Sequence, residues 1–584
     1  MILTLLLLAM SPADTTMTPL QRLLHDDWQY RMEQNPEWAS FLGDHRYGDR
    51  LTDLSPTAIH ARQEHDRVML ARARALKPAS LKGQDRLSLQ LFLWEKTMDV
   101  EGQRYPTWLM PLDQLDGIQV GFPQLIAAMP YRNPGDYDNY LARLNAFPRL
   151  INQTIALLRE GIRTGWVQPA FQLRGIPAQI DGQLVTDATK SPVYGPVQHF
   201  PVEVSEADRA RITSAAGRAI MDSVVPALRA LSEFVQREYL PAGRKELAAS
   251  SLPGGKEYYD WQIRRYVTMS LPAETIHQLG LDEVKRIRLA MDSVQHQVGF
   301  NGSFTEFLEF LRTDPQFYYE SGSELVEGYR DIAKRIDGAL PSQFAVLPRT
   351  PYGVRAFPDY EGPAQTTARY YPSAADGSRA GFMMVNTWQL TARPKYEMEA
   401  LTLHEAMPGH HLQIARAQEL VGLPEFRRNA GYTAYVEGWA LYAERLGNDL
   451  GLYTDPYSRF GQLTYEMWRA CRLVIDTGIH TMGWSRDSAI AYLLANSAKS
   501  EQDAGVEVDR YIVWPGQALA YKLGEIKIRA IRQQAEQALG DNFDVRRFHN
   551  ALLDDGPMPL DLLQTQMNKW IAVEKPGRVR GATR

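Results

Sequence analysis

The sequence predicts a mainly α-helical protein with one small β-sheet. Apolar residues recur at three- and four-residue steps along most of the 584 residues, which is the period of a half-buried helix. Strand-like runs are few and short. Loops rich in Pro and Gly, at about 165–203, 241–257 and 340–380, cut the helical runs into packable lengths.

From the N-terminus, Met1–Asp14 carries an apolar run too short to span a bilayer. It fits a signal-peptide core, and the small residues Ser11 and Ala13 suit cleavage after Ala13, so residues 1–13 are expected to be removed on export to a periplasm. No Cys lies near that cut, which argues against a lipid anchor. Helical periods follow at about 19–35, 58–76, 84–100, 136–163, 206–239 and 273–298. The last begins at Leu271-Pro272-Ala273-Glu274, where proline suits a first turn. Further periods lie at about 324–337, 395–419, 429–448, 458–482, 486–498 and 517–539. The best strand is 382–387, with 354–357 as its partner. The Pro/Gly stretch at 241–257 sets the expected division into an N-terminal half (14–250) and a C-terminal half (251–574), followed by a disordered basic tail (575–584).

Composition narrows the function. The chain is 44% hydrophobic and 23% charged, so it can bury large cores. Its net charge of −5 argues against nucleic acid as a partner. The only cysteine, Cys471, sits in an apolar helical run and reads as a core residue. Neither a GxSxG elbow nor a GxxxxGK phosphate loop occurs.

Chemistry concentrates in His404-Glu405-Ala406-Met407-Pro408-Gly409-His410-His411, which holds three of the 12 histidines. Imidazole nitrogen and carboxylate oxygen are zinc ligands, and a Glu directly after a ligating His is where zinc peptidases keep a general base. The spacing is not HExxH. Position i+4 is Pro408, whose ring would clash with the His404 carbonyl in a straight helix. A bulge or break at Pro408-Gly409 would bring His410 round as second ligand, with His411 as the fallback. Glu437, among aromatic and small residues in a following helix, is the expected third ligand; Glu444, two turns on, could hold a ligand histidine from behind.

Other candidates lie nearby. Asn386 on strand 382–387 could contact a peptide group if that strand is an edge that pairs with substrate. His480 or Tyr521 could stabilise an oxyanion, and Asp476, one turn before His480, could hydrogen-bond to it. Arg510, Gln517 and Lys522 are candidates for binding substrate, a carboxylate in the case of the two cations.

HExxPGHH, the helix Glu437-Gly438-Trp439-Ala440-Leu441-Tyr442-Ala443-Glu444, the run Asp476-Thr477-Gly478-Ile479-His480 and Trp514-Pro515-Gly516-Gln517-Ala518-Leu519-Ala520-Tyr521 together resemble the family catalogued as domain of unknown function 885. That family is similar to gluzincin peptidases, the helical oligopeptidases and carboxypeptidases above all. The resemblance implies a two-lobed helical fold with a small sheet beside the zinc-binding helix and an N-terminal half covering the cleft. It implies one Zn2+ per chain at His404, His410 and Glu437, with Glu405 as base. The expected function is an exported zinc peptidase that hydrolyses short peptides through Glu405-assisted attack of activated water, without nucleic-acid partners or stable membrane insertion. The alternatives are a zinc amidohydrolase acting on a non-peptide amide, or a non-catalytic exported protein that binds peptide or metal.

Overall fold

A computed structural model describes residues 17–575 except 359–361, 363–365, 375, 376 and 378. The expected signal peptide lies outside the described residues, as does all but the first residue of the basic tail. The protein is mainly helical, with 70% helix and a three-stranded sheet.

The expected helices form. In the N-terminal half these include α1 (Pro19–Gln34), α2 (Gly83–Gly102) and α3 (Pro134–Thr164). Helix α1 starts on a capping box, in which Thr18 accepts from the Gln21 backbone and Gln21 reaches back. The C-terminal half adds α4 (Ala273–Gln297) and α5 (Gly322–Ala339), then the sheet. The helices that carry the site follow: α6 (Met398–Glu405), α7 (His410–Gln418), α8 (Thr433–Leu446), α9 (Pro456–Met482), α10 (Glu501–Val513) and α11 (Leu519–Leu539).

Two close crossings set the frame. Gly280 on α4 lets that helix pack onto α9 at Leu473 and Val474. Helices α8 and α11 meet backbone to backbone, because Gly438 and Gly524 face each other; a Cβ on Gly438 would lie 2.5 Å from the Gly524 Cα.

The sheet has the order β1 (Tyr352–Ala356), β3 (Gly381–Val385), β2 (Ala368–Tyr371). β1 pairs with β3 in parallel and β2 pairs with it antiparallel. The expected pairing of 354–357 with 382–387 is present. β2, unforeseen in the sequence, takes one edge, so β3 is central and both its sides are occupied. That overturns the expectation that 382–387 is an edge open to substrate.

The hydrophobic cores do not divide near residue 250. One core lies wholly within residues 51–239. The core that contains the sheet and α6 to α8 also takes in Leu20, Leu24, Trp28 and Phe92 from α1 and α2. The first helices are therefore built into the half that holds the site.

Gly438→Ala forces α8 and α11 apart. It should cost about 2 kcal/mol or more, read as a lowered midpoint in thermal unfolding; an unchanged midpoint would mean the crossing relaxes freely.

Candidate metal centre

The helical period over 395–419 is broken where Pro408 requires it. α6 ends at Glu405, and Ala406 leaves helical geometry with φ −101° and ψ −114°. Gly409 caps the next helix at φ −73° and ψ −127°, and the Met407–Pro408 bond is cis. A Cβ at Gly409 would lie 1.9 Å from the His404 carbonyl oxygen, so only glycine permits this close return of the chain. The Trp439 indole N–H donates to the Pro408 carbonyl at 2.8 Å and fixes the loop against α8.

The break turns His410 towards His404. Their rings stand nearly perpendicular with centroids 4.7 Å apart. Glu437, from α8, completes the group: its Oε2 lies 3.5 Å from the Nε2 of each histidine. One ligand atom from each of the three residues falls within 4.8 Å of the others. A tetrahedral zinc with bonds near 2.1 Å needs ligand atoms about 3.4 Å apart, so the three residues fit a zinc ion. Glu437 Oε2 is buried and accepts no hydrogen bond, the state expected of an atom whose partner is a cation. Burial alone would raise the Glu437 carboxyl, but His410 and His404 hold it well below the usual carboxylate range.

Behind the triad lies a polar support. Glu444 Oε1 is 2.8 Å from His404 Nδ1, leaving Nε2 to face Glu437. This is the carboxylate–histidine arrangement that orients metal ligands. Arg469 on α9 approaches the same Glu444 oxygen at 3.4 Å. Burial opposes charge on His404, yet Glu437 and Glu444 raise its pKa to about 9. Glu405, beside His404 at the end of α6, accepts the Tyr370 backbone N–H on its Oε2 at 2.8 Å. That N–H points away from β3, from the free edge of β2.

The remaining candidates fall elsewhere. His411 is not with the triad: Nδ1 is 2.8 Å from the Tyr370 hydroxyl and Nε2 is 3.1 Å from the Thr350 carbonyl. His480 has no exposed surface. Its nitrogens meet the Ala249 N–H at 2.9 Å and the Tyr511 carbonyl at 3.0 Å, so it has no free donor for an oxyanion. Asp476 does not pair with it, accepting instead from the Tyr259 hydroxyl and the Gly516 N–H. Asn386 is fully buried, donates to the Gly362 carbonyl and accepts from the Trp388 N–H, tying loop to strand rather than meeting substrate. Lys522 is also fully buried, among Glu283, Glu466 and Glu525, a set of charges that satisfies it without a ligand.

Tyr521, Arg510 and Gln517 are brought together. The Tyr521 hydroxyl accepts from Arg510 Nη2 at 2.7 Å and from Gln517 Nε2 at 3.5 Å. Its own proton has no acceptor among the hydrogen bonds of the described residues. The Gly438–Gly524 crossing sets α11 against the helix that bears Glu437, and Tyr521 precedes Gly524 by one turn.

Sequence reasoning missed Tyr370, whose short strand is only four residues, and Arg469. The available signal for Arg469 was a cation inside the apolar run Trp468-Arg469-Ala470-Cys471, since a buried cation requires a partner.

A family model described as "Bacterial protein of unknown function (DUF885)" matches residues 36–567. The chain belongs to the DUF885 family. It is similar to a crystal structure from Colwellia psychrerythraea, described as "the putative lipoprotein", at 27% identity and TM-score 0.91, over 95% of this chain and 100% of that one. The fold is shared by a Shewanella oneidensis protein, described as "a putative lipoprotein of unknown function", at 18% identity and TM-score 0.71, again over 95% and 100%. No curated protein matches this DUF885 chain.

Two outcomes follow from this geometry. Glu444→Ala should weaken zinc affinity about 10- to 100-fold, measured by chelator competition; unchanged affinity would remove Glu444 as a support. Burial raises the Asp476 carboxyl to about 7 from 3.8, against hydrogen bonds from Tyr259 and Gly516 that lower it. The folded state therefore holds a proton that the unfolded state has released, and stability should fall as pH rises from about 4 to 7, then level off. Asp476→Asn should remove that slope in urea unfolding; a slope unchanged by the substitution would assign it to other groups.

Proposed function

We propose that this DUF885 protein is an exported zinc-dependent peptidase of gluzincin type acting on short peptides. One observation carries the reading: in a triad that fits zinc, the first histidine, His404, is followed directly in sequence by a carboxylate, Glu405, that is outside the triad and is held by a strand edge. A site that merely stored metal would have no need of the extra base.

Bound at His404, His410 and Glu437, zinc would polarise the scissile carbonyl and acidify water beside it. Glu405 has one oxygen fixed by the Tyr370 N–H, and its carboxylate takes the proton from that water and passes it to the leaving amine. Tyr521 has both acceptor positions filled by Arg510 and Gln517 and keeps its hydroxyl proton to give to the developing oxyanion. Strand addition at 382–387, which the sequence suggested, is closed by β1 and β2 on either side of β3, and the outward N–H of Tyr370 on β2 is committed to Glu405.

Export is supported by the apolar N-terminal run and by the descriptions of the two similar structures, and a periplasmic location is part of this proposal. No described helix is long and apolar enough to cross a membrane.

Glu405→Gln should keep zinc and lose turnover of a short-peptide library about 100-fold or more, read by mass spectrometry; full turnover in that variant would remove Glu405 as base. Glu437→Ala should lose the metal itself, and unchanged zinc content would place the third ligand elsewhere.

A further inference from the structure

The doublet His410-His411 puts two imidazoles side by side, and only the first faces the triad. The second is 1% exposed and committed on both nitrogens. Its Nε2 donates to the Thr350 carbonyl, which leaves Nδ1 to accept from the Tyr370 hydroxyl. Its ring also packs on Tyr352 of β1, with centroids 4.9 Å apart. Two further ties join α7 to the sheet. Glu419, at the end of α7, accepts from the Arg349 and Thr350 backbones just before β1. Gln418 exchanges hydrogen bonds with Ser373, just after β2.

Tyr370 is therefore held at two points with opposite consequences. Its hydroxyl is anchored on α7 by His411. Its backbone N–H reaches out of β2 to Glu405, at the end of α6. The path from His410 to His411, Tyr370 and Glu405 crosses the chain break at 406–409 without using that loop. It links the helix that begins with one candidate ligand to the carboxylate beside the other. An edge strand has no neighbour on its outer side to fix it, and β2 is only four residues long. The anchor on α7 supplies that missing constraint.

We propose that His411 is a positioning residue: through Tyr370 it fixes the backbone N–H that orients Glu405. The proposal rests on Glu405 being the base. The first histidine of the doublet then serves the metal and the second serves the base, so the distance between them is set by the rigid start of α7. Displacing a catalytic group by about 1 Å can cost 100-fold in rate, so a tie of this kind acts on turnover rather than on substrate binding.

The test uses the full chain loaded with zinc, the best-cleaved peptide of the library, and four variants: Tyr370→Phe, His411→Ala, the double variant, and His411→Gln. Tyr370→Phe removes one hydroxyl and leaves the backbone N–H, so it remains informative if His411→Ala fails to fold. Zinc content should stay at one per chain in all four. For Tyr370→Phe and His411→Ala, kcat should fall about 10- to 100-fold with KM within about twofold. The double variant should be no worse than the worse single, because both cut one link. His411→Gln, which offers one acceptor and one donor, should recover most of the loss. Independently of turnover, hydrogen exchange at the Tyr370 amide should accelerate about tenfold in Tyr370→Phe and His411→Ala.

Loss of zinc in His411→Ala would make His411 a ligand and overturn the proposal. Unchanged kcat and exchange, or additive losses in the double variant, would overturn it as well. If the wild-type protein shows no turnover that depends on Glu405, the peptidase reading fails. In that event the exchange measurement still decides the link: faster exchange upholds it and unchanged exchange refutes it.

Discussion

Glu437 is a carboxylate whose Oε2 is buried, accepts no hydrogen bond and stands 3.5 Å from two imidazoles. A charge in that position costs several kcal/mol unless it is compensated. The surrounding structure is arranged to permit it. The chain breaks after Glu405 so that His410 can return to His404. Gly409 gives the room for that return, and Trp439, two residues from Glu437 on the same helix, holds the broken loop through its indole N–H. Without the break, the histidines would point apart and Glu437 would have no partner.

Helix α9 gives the wider support. Arg469 braces Glu444 behind His404. One turn on, Arg472 lies over the Tyr521 ring at 4.1 Å and pairs with Glu507 at 3.0 Å. Glu466, earlier on the same helix, ties α9 to α11 through Lys522. Of the two cations that looked like substrate-binding candidates in the sequence, Lys522 belongs to this brace and Arg510 bonds Tyr521. Lys522 was expected to hold a substrate carboxylate, but the carboxylates it meets are internal: Glu283, Glu466 and Glu525.

The helices were legible because amphipathic period is a local property. So was the break, since proline at i+4 is incompatible with the His404 carbonyl, and with it the group His404, His410 and Glu437. What was not legible depended on contacts distant in sequence. β2 is too short to show a period, and its discovery moved the sheet's open edge from 382–387 to 368–371. Asn386, Asp476 and His480 are polar residues in apolar surroundings, a pattern that a site and a satisfied core share. Only the positions of Gly362, Gly516 and Ala249, each far along the chain, distinguish the two. Core membership was hidden likewise: loop composition near 250 marks where the chain is exposed, not that α1 and α2 share a core with the sheet.

The central claim is that one zinc sits between His404, His410 and Glu437, with His411 turned away from it. Anomalous diffraction across the zinc edge, on crystals of the zinc-loaded protein, tests this directly. The account predicts a single peak about 2.0–2.2 Å from the two Nε2 atoms and a Glu437 oxygen, with His411 still bonded to Tyr370 and Thr350. A peak bound by His411, or no peak in that group, would contradict it.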